Sequence, residues 1–188
     1  QVDTVPFGCY NRDIFEKIGY FDEDLIRNQD DEFNARLIKN GGSIYLLPDI
    51  QIIYFARDKL SKISKMFYQY GLYKPLVNLK VGKPATVRQF APLVLILFLG
   101  VSLGLSFMSN VSLSFFVIGS SLYLLACLLA GFSIWLKNIR QPGLLFYLFI
   151  LFPLIHFSYG WGYLMGIFRF IIFNKKIHHS KLNENRWC

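Results

Sequence analysis

The chain is poor in cysteine and poor in acid beyond its first third. Its three cysteines, Cys9, Cys127 and Cys188, are far apart and show no CxxC or Cys/His spacing, which argues against a disulfide framework or a zinc site. No initiator methionine and no signal peptide opens the sequence at Gln1, and its first residues read like the middle of a folded domain, so a fragment or a processed chain is expected. Of the 12 acids, ten lie in residues 1 to 56 beside five bases, one in 57 to 89 beside eight bases, and one in 90 to 188 beside seven. No base-reading motif or aromatic-basic sheet pattern accompanies these bases, so nucleic acid is not an expected partner.

What is present is apolar: 54% hydrophobic residues and 18% aromatics exceed what an ordinary soluble domain carries. Ala91 to Met108 and Val111 to Leu136 are long enough to cross roughly 30 Å of hydrocarbon, and the polar link Ser109-Asn110 makes them a hairpin. Trp135 followed by Lys137 and Arg140 has the character of a cytoplasmic anchor. Residues 143 to 173 would form a helix of about 46 Å, too long for one perpendicular crossing, and Pro153, Gly160 and Gly162 mark where a kink or break is expected. His156 and Arg169 within this stretch read either as functional groups, because ionisable groups are costly in hydrocarbon, or as a carbonyl-bonded histidine and an arginine reaching the headgroups. A single span would set Lys175 and Lys176 opposite Lys137 and Arg140, against the positive-inside tendency.

Residues 57 to 73 place Leu60, Ile63, Phe67 and Tyr70 at helical spacing with Lys59, Lys62 and Lys65 between them, the pattern of a basic amphipathic helix on anionic membrane lipids or of a surface helix on a soluble core. Upstream, Asn11 is an N-cap for a short helix stopped by Gly19. A second helix begins near Asn28 with Asp30, Asp31 and Glu32 in its first turn, where carboxylates are favoured. Gly41-Gly42 ends it, and Ser43 to Leu47 reads as a strand closed by Pro48. Carboxylates there can serve as a general base beside a cleft or simply cap the helix and face water.

The order of these elements, Asn11 to Gly19, Phe21-Asp22-Glu23, Gln29-Asp30, Arg36-Leu37, Gly41-Gly42 and Leu47-Pro48-Asp49, resembles family 2 nucleotide-sugar glycosyltransferases, with membrane helices similar to those of succinoglycan and exopolysaccharide transferases. The resemblance implies the α/β C-terminal half of a GT-A fold over 1–56, a basic interfacial segment over 57–89, an all-α transmembrane region of about three helices over 90–173, and a basic tail over 174–188. It implies an inverting transfer from a nucleotide-sugar donor to a lipid-linked or growing saccharide at the cytoplasmic face of the inner membrane. Asp30 matches the base that deprotonates the acceptor hydroxyl. Gln29 replaces the usual Glu of the pair, which makes Asp31 a rival. Phe7, Gly8 and Cys9 match the acceptor-side loop, and Arg36 and Asp22 the supporting positions. The nucleotide-binding half and the ligands for Mg²⁺ or Mn²⁺ would lie before Gln1. The interfacial stretch has Tyr68-Gln69-Tyr70-Gly71 in place of the Gln-x-x-Arg-Trp of processive members. A non-catalytic membrane subunit with an acidic docking helix is the rival class, and a transporter a third.

Overall fold

The computed structural model describes residues 1–5, 7–84, 86–137 and 143–173. The elements, in order, are α1 (Arg12–Ile18), α2 (Gln29–Lys39), α3 (Leu60–Val81), a 3₁₀ turn (Val87–Phe90), α4 (Ala91–Leu105), α5 (Asn110–Lys137) and α6 (Leu144–Gly166), which runs on as a π-helix (Ile167–Ile172). The expected α/β half-domain is overturned: no strand occurs among the described residues, and the run 43–47 makes one isolated antiparallel bridge, Val2 with Ile44. A strand needs a ladder of partners, and β-propensity without them does not hold an extended segment in a sheet. The apolar residues beyond the bridge stay uncovered, from Tyr45 at 66% exposure to Phe55 at 89%.

The chain packs as two units. One holds residues 1–56, 72–86 and the described part of 165–188; the other holds 57–71 and 87–164. In the first, the side chain of Asn11 accepts from the Asp13 N–H at 3.1 Å to start α1, and Gly19 stops it at φ 81°, a left-handed angle that glycine adopts without a Cβ penalty. Helix α2 follows Asn28, itself left-handed at φ 61°, and its Phe33 and Leu37 turn one face inward at i, i+4 spacing. Phe33 is fully buried, ringed by Tyr10 at 4.8 Å, Phe15 at 5.3 Å and Phe21 at 4.6 Å between centroids. Such tilted and edge-on pairs add about 0.5–1.5 kcal/mol each beyond the area they bury.

In the second unit, three helices are long and apolar enough to cross a membrane: Val87–Leu105, Asn110–Lys137 and Leu144–Ile172. Their backbones approach closely at glycines. A Cβ on Gly160 would run into the Pro92 carbonyl, and one on Gly71 into the Tyr159 carbonyl, the use of small residues by which packed membrane helices gain contact. Where a break was expected, between Pro153 and Gly162, the α-helix continues, and its pitch changes only at Ile167. Gly160 therefore serves close packing. The amphipathic helix expected over 57–73 begins at Leu60 and extends to Val81, through Pro75. Arg140, Lys175, Lys176, Cys188 and the tail 174–188 lie outside the described residues.

Candidate functional site: carboxylates at the start of α2

Asp30 and Asp31 sit side by side in the first turn of α2 and have different surroundings. Asp31 is neutralised: Lys74, on the second half of α3, reaches its carboxylate at 2.5 Å, and Thr4 donates to it at 3.4 Å. No side-chain donor and no ion-pair partner meets Asp30 among the described residues. Its pKa is raised, first by burial and then by the neighbouring Asp31 charge, while the N–H groups of Asp31 and Asp30 and the more distant Lys74 charge pull it back. A carboxyl held partly out of water with a like charge beside it binds a proton more tightly than an ordinary aspartate.

The segment before α1 is held by Asn34, one turn along α2 from Asp30 and fully buried. Its side-chain amide donates to Thr4 Oγ1 at 2.9 Å and to the Val5 carbonyl at 3.1 Å, and its Oδ1 accepts from the Tyr10 hydroxyl at 2.8 Å. The tie fastens the chain on both sides of Phe7, Gly8 and Cys9, all three exposed. The Tyr10 pKa is raised by burial and by the Asp30 charge, with the Asn34 hydrogen bond opposing. Gly8 has a local reason as well: a Cβ there would collide with the Tyr10 ring.

The remaining expected residues are structural in their contacts. Arg36 grips Glu32 with two hydrogen bonds of 2.9 Å, donates to the Tyr20 carbonyl at 2.8 Å and to the Ile18 carbonyl, and lies 5.2 Å over the Phe33 ring. It joins the end of α1 to α2. Gln29 turns back to the Leu25 carbonyl. Asp22 accepts from the Asp24 N–H at 2.9 Å, closing a turn, and Lys80 binds Asp22 at 2.6 Å and Asp24 at 2.9 Å. Burial alone would lower the Lys80 pKa, but the two carboxylates outweigh it and the net shift is upward.

Sequence reasoning passed over Lys74, Lys80 and Asn34. The signal for the lysines was the charge split itself, an acidic first segment followed by a basic one; the bases were assigned to lipid, whereas two of them are spent on carboxylates. For Asn34 the signal was a polar residue between Phe33 and Leu37 on the apolar face. Asp22 and Asp24, either side of Glu23, both place their carboxylates on Lys80. Among the described residues no three of His, Cys, Asp and Glu gather into a group that could hold a metal ion.

Over 76 residues the chain is 40% identical to a dolichyl N-acetyl-α-D-glucosaminyl phosphate 3-β-D-2,3-diacetamido-2,3-dideoxy-β-D-glucuronosyltransferase of Methanococcus voltae, a match covering 40% of this chain. This chain is similar to a glycosyltransferase. Over 81 residues it is also 30% identical to the succinoglycan biosynthesis protein ExoA of Rhizobium meliloti, covering 43% of this chain. The two matches support the resemblance to family 2-type glycosyltransferases read from the motifs. The matched stretch spans 24% of the length of each of these glycosyltransferase-like relatives. No protein-family description matches the chain, and no solved structure does.

Proposed function

We propose that this chain belongs to a membrane-bound glycosyltransferase of polysaccharide or cell-surface glycan synthesis, and that Asp30 is its general base. The acceptor hydroxyl loses its proton to the Asp30 carboxylate as its oxygen attacks the anomeric carbon. The bond from that carbon to the nucleotide diphosphate breaks on the opposite side, so configuration inverts. The reading is carried by the contrast between two adjacent carboxylates: Asp31 is locked to Lys74, while Asp30 is half-buried and raised in pKa, and its charge acts on Tyr10, the residue that follows Phe7, Gly8 and Cys9. A base works best when its pKa approaches the operating pH and it can reach the proton it removes. The donor is a nucleotide sugar, the acceptor a lipid-linked or growing saccharide, and the site faces the cytoplasm from the inner membrane.

The test is sugar transfer by membranes carrying the full reading frame. Asp30→Asn should abolish transfer while protein level and membrane insertion stay at wild type, because an amide cannot take the proton. Transfer within about threefold of wild type refutes the assignment, since removing a general base costs on the order of 10²–10⁴ in rate. Loss confined to Asp31→Asn moves the base by one residue.

A further inference from the structure

Helix α3 carries four lysines, Lys62, Lys65, Lys74 and Lys80. Three meet carboxylates: Lys62 on Asp58, Lys74 on Asp31, and Lys80 on Asp22 and Asp24. Lys65 meets none among the described residues. It stands instead on the rim of a cavity of about 1020 Å³ formed by the first half of α3 with α4, α5 and α6. Leu99, Leu103, Phe116 and Phe157 make its wall apolar, while Ser61 and Tyr68 bring hydroxyls from the same stretch of α3 as Lys65. Every lining residue belongs to the unit of 57–71 and 87–164, and none belongs to the carboxylate site of α2.

We propose that this cavity holds an anionic glycerophospholipid of the surrounding membrane, its hydrocarbon along the apolar wall and its phosphate at Lys65. The accessible wall of this open groove is mostly apolar, and covering it with hydrocarbon removes that surface from water. Three of the four helices around it, α4, α5 and α6, are long and apolar enough to span a bilayer, so the guest at hand is hydrocarbon. An ammonium without a carboxylate at the mouth of such a groove selects the lipids that carry negative charge. The occupant is a resident lipid rather than the sugar-bearing acceptor, because the groove shares no residue with the carboxylate site and bulk lipid is abundant enough to fill a site of modest affinity.

The experiment is native mass spectrometry of the purified full-length protein in neutral detergent, offered equal amounts of phosphatidylglycerol and phosphatidylcholine. Wild type should retain phosphatidylglycerol about fivefold over phosphatidylcholine, the preference expected from one lysine near the headgroup. Lys65→Gln should bring the two near parity, and Lys62→Gln should leave the preference intact. Gly100 lines the cavity, and a Cβ there meets open space. Gly100→Phe should therefore fill the groove without a clash and remove both lipids. Parity in wild type, or an undiminished preference in Lys65→Gln, overturns the proposal. Displacement of phosphatidylglycerol by an equal amount of a polyprenyl phosphate also overturns it, by giving the groove to the acceptor's carrier.

Discussion

Replacing Arg36 by methionine keeps most of the side chain's stem and removes its charge and its donors. What remains is the Glu32 carboxylate, with a side chain 7% exposed, and the Ile18 and Tyr20 carbonyls, all stripped of their partner. Leaving a buried charge uncompensated costs about 3–5 kcal/mol. The Arg36 side chain is 25% exposed, so water can enter after the change, and a discounted loss of about 2–3 kcal/mol is expected. The loss is local, because Arg36 joins the end of α1 to α2. Amide hydrogen exchange of residues 29–39 in the full-length protein reads it directly: local opening made easier by that amount speeds exchange roughly 30- to 160-fold. Adding Glu32→Gln removes the stranded charge and should recover about half of the loss, a coupling that independent sites do not show. Exchange within about threefold of wild type in the single variant, or no recovery in the double, refutes the reasoning.

In the pH dependence of transfer, a base must be ionised, so the rate should climb with pH through a value above the ordinary aspartate range of about 3.9, the direction given by the raised Asp30 pKa. Lys74→Gln withdraws a charge that favours ionised Asp30 and frees the Asp31 charge to oppose it, so the acid limb should move to still higher pH; an unmoved limb denies the coupling. Because the raised pKa means that ionised Asp30 is disfavoured in the folded chain, its stabilising contribution is full below the unfolded pKa and lost as pH rises through the folded one. At neutral pH Asp30→Asn should therefore melt no lower than wild type, and a lower melting temperature would contradict this. Gly160→Val should lower the melting temperature in detergent by the equivalent of about 1–3 kcal/mol, whereas Gly104→Ala, whose Cβ meets open space, should not. A lone cysteine at Asn110, with Cys9, Cys127 and Cys188 replaced, should react with an impermeant reagent on intact cells; protection there, with labelling at position 137, would place the carboxylate site away from cytoplasmic nucleotide sugars.

Features written in neighbouring residues were legible in the sequence. Asn11 and Gly19 frame α1 where capping chemistry puts them, and the apolar runs gave α4 and α5 to within a few residues. The strand over 43–47 was not, because a strand is a statement about distant partners, and here the ladder ends after one bridge. The pairing of Lys74 with Asp31 spans 43 positions and that of Lys80 with Asp22 spans 58; composition shows that opposite charges exist, and only the fold shows which ones meet. The extension of α3 past Gly71 and Pro75 was hidden for a related reason. Both residues argue locally for an end, and Gly71 is retained by its contact with the Tyr159 backbone rather than by helix propensity.

That contact bears on how far the sequence can drift. Most packed positions tolerate exchange among apolar side chains of similar volume, because neighbours shift to absorb the difference. At Gly71 and Gly160 the opposing surface is the Tyr159 or Pro92 main chain, which has no rotamer to change. These two positions leave descendants of this chain a choice between keeping the hydrogen atom and moving a whole helix.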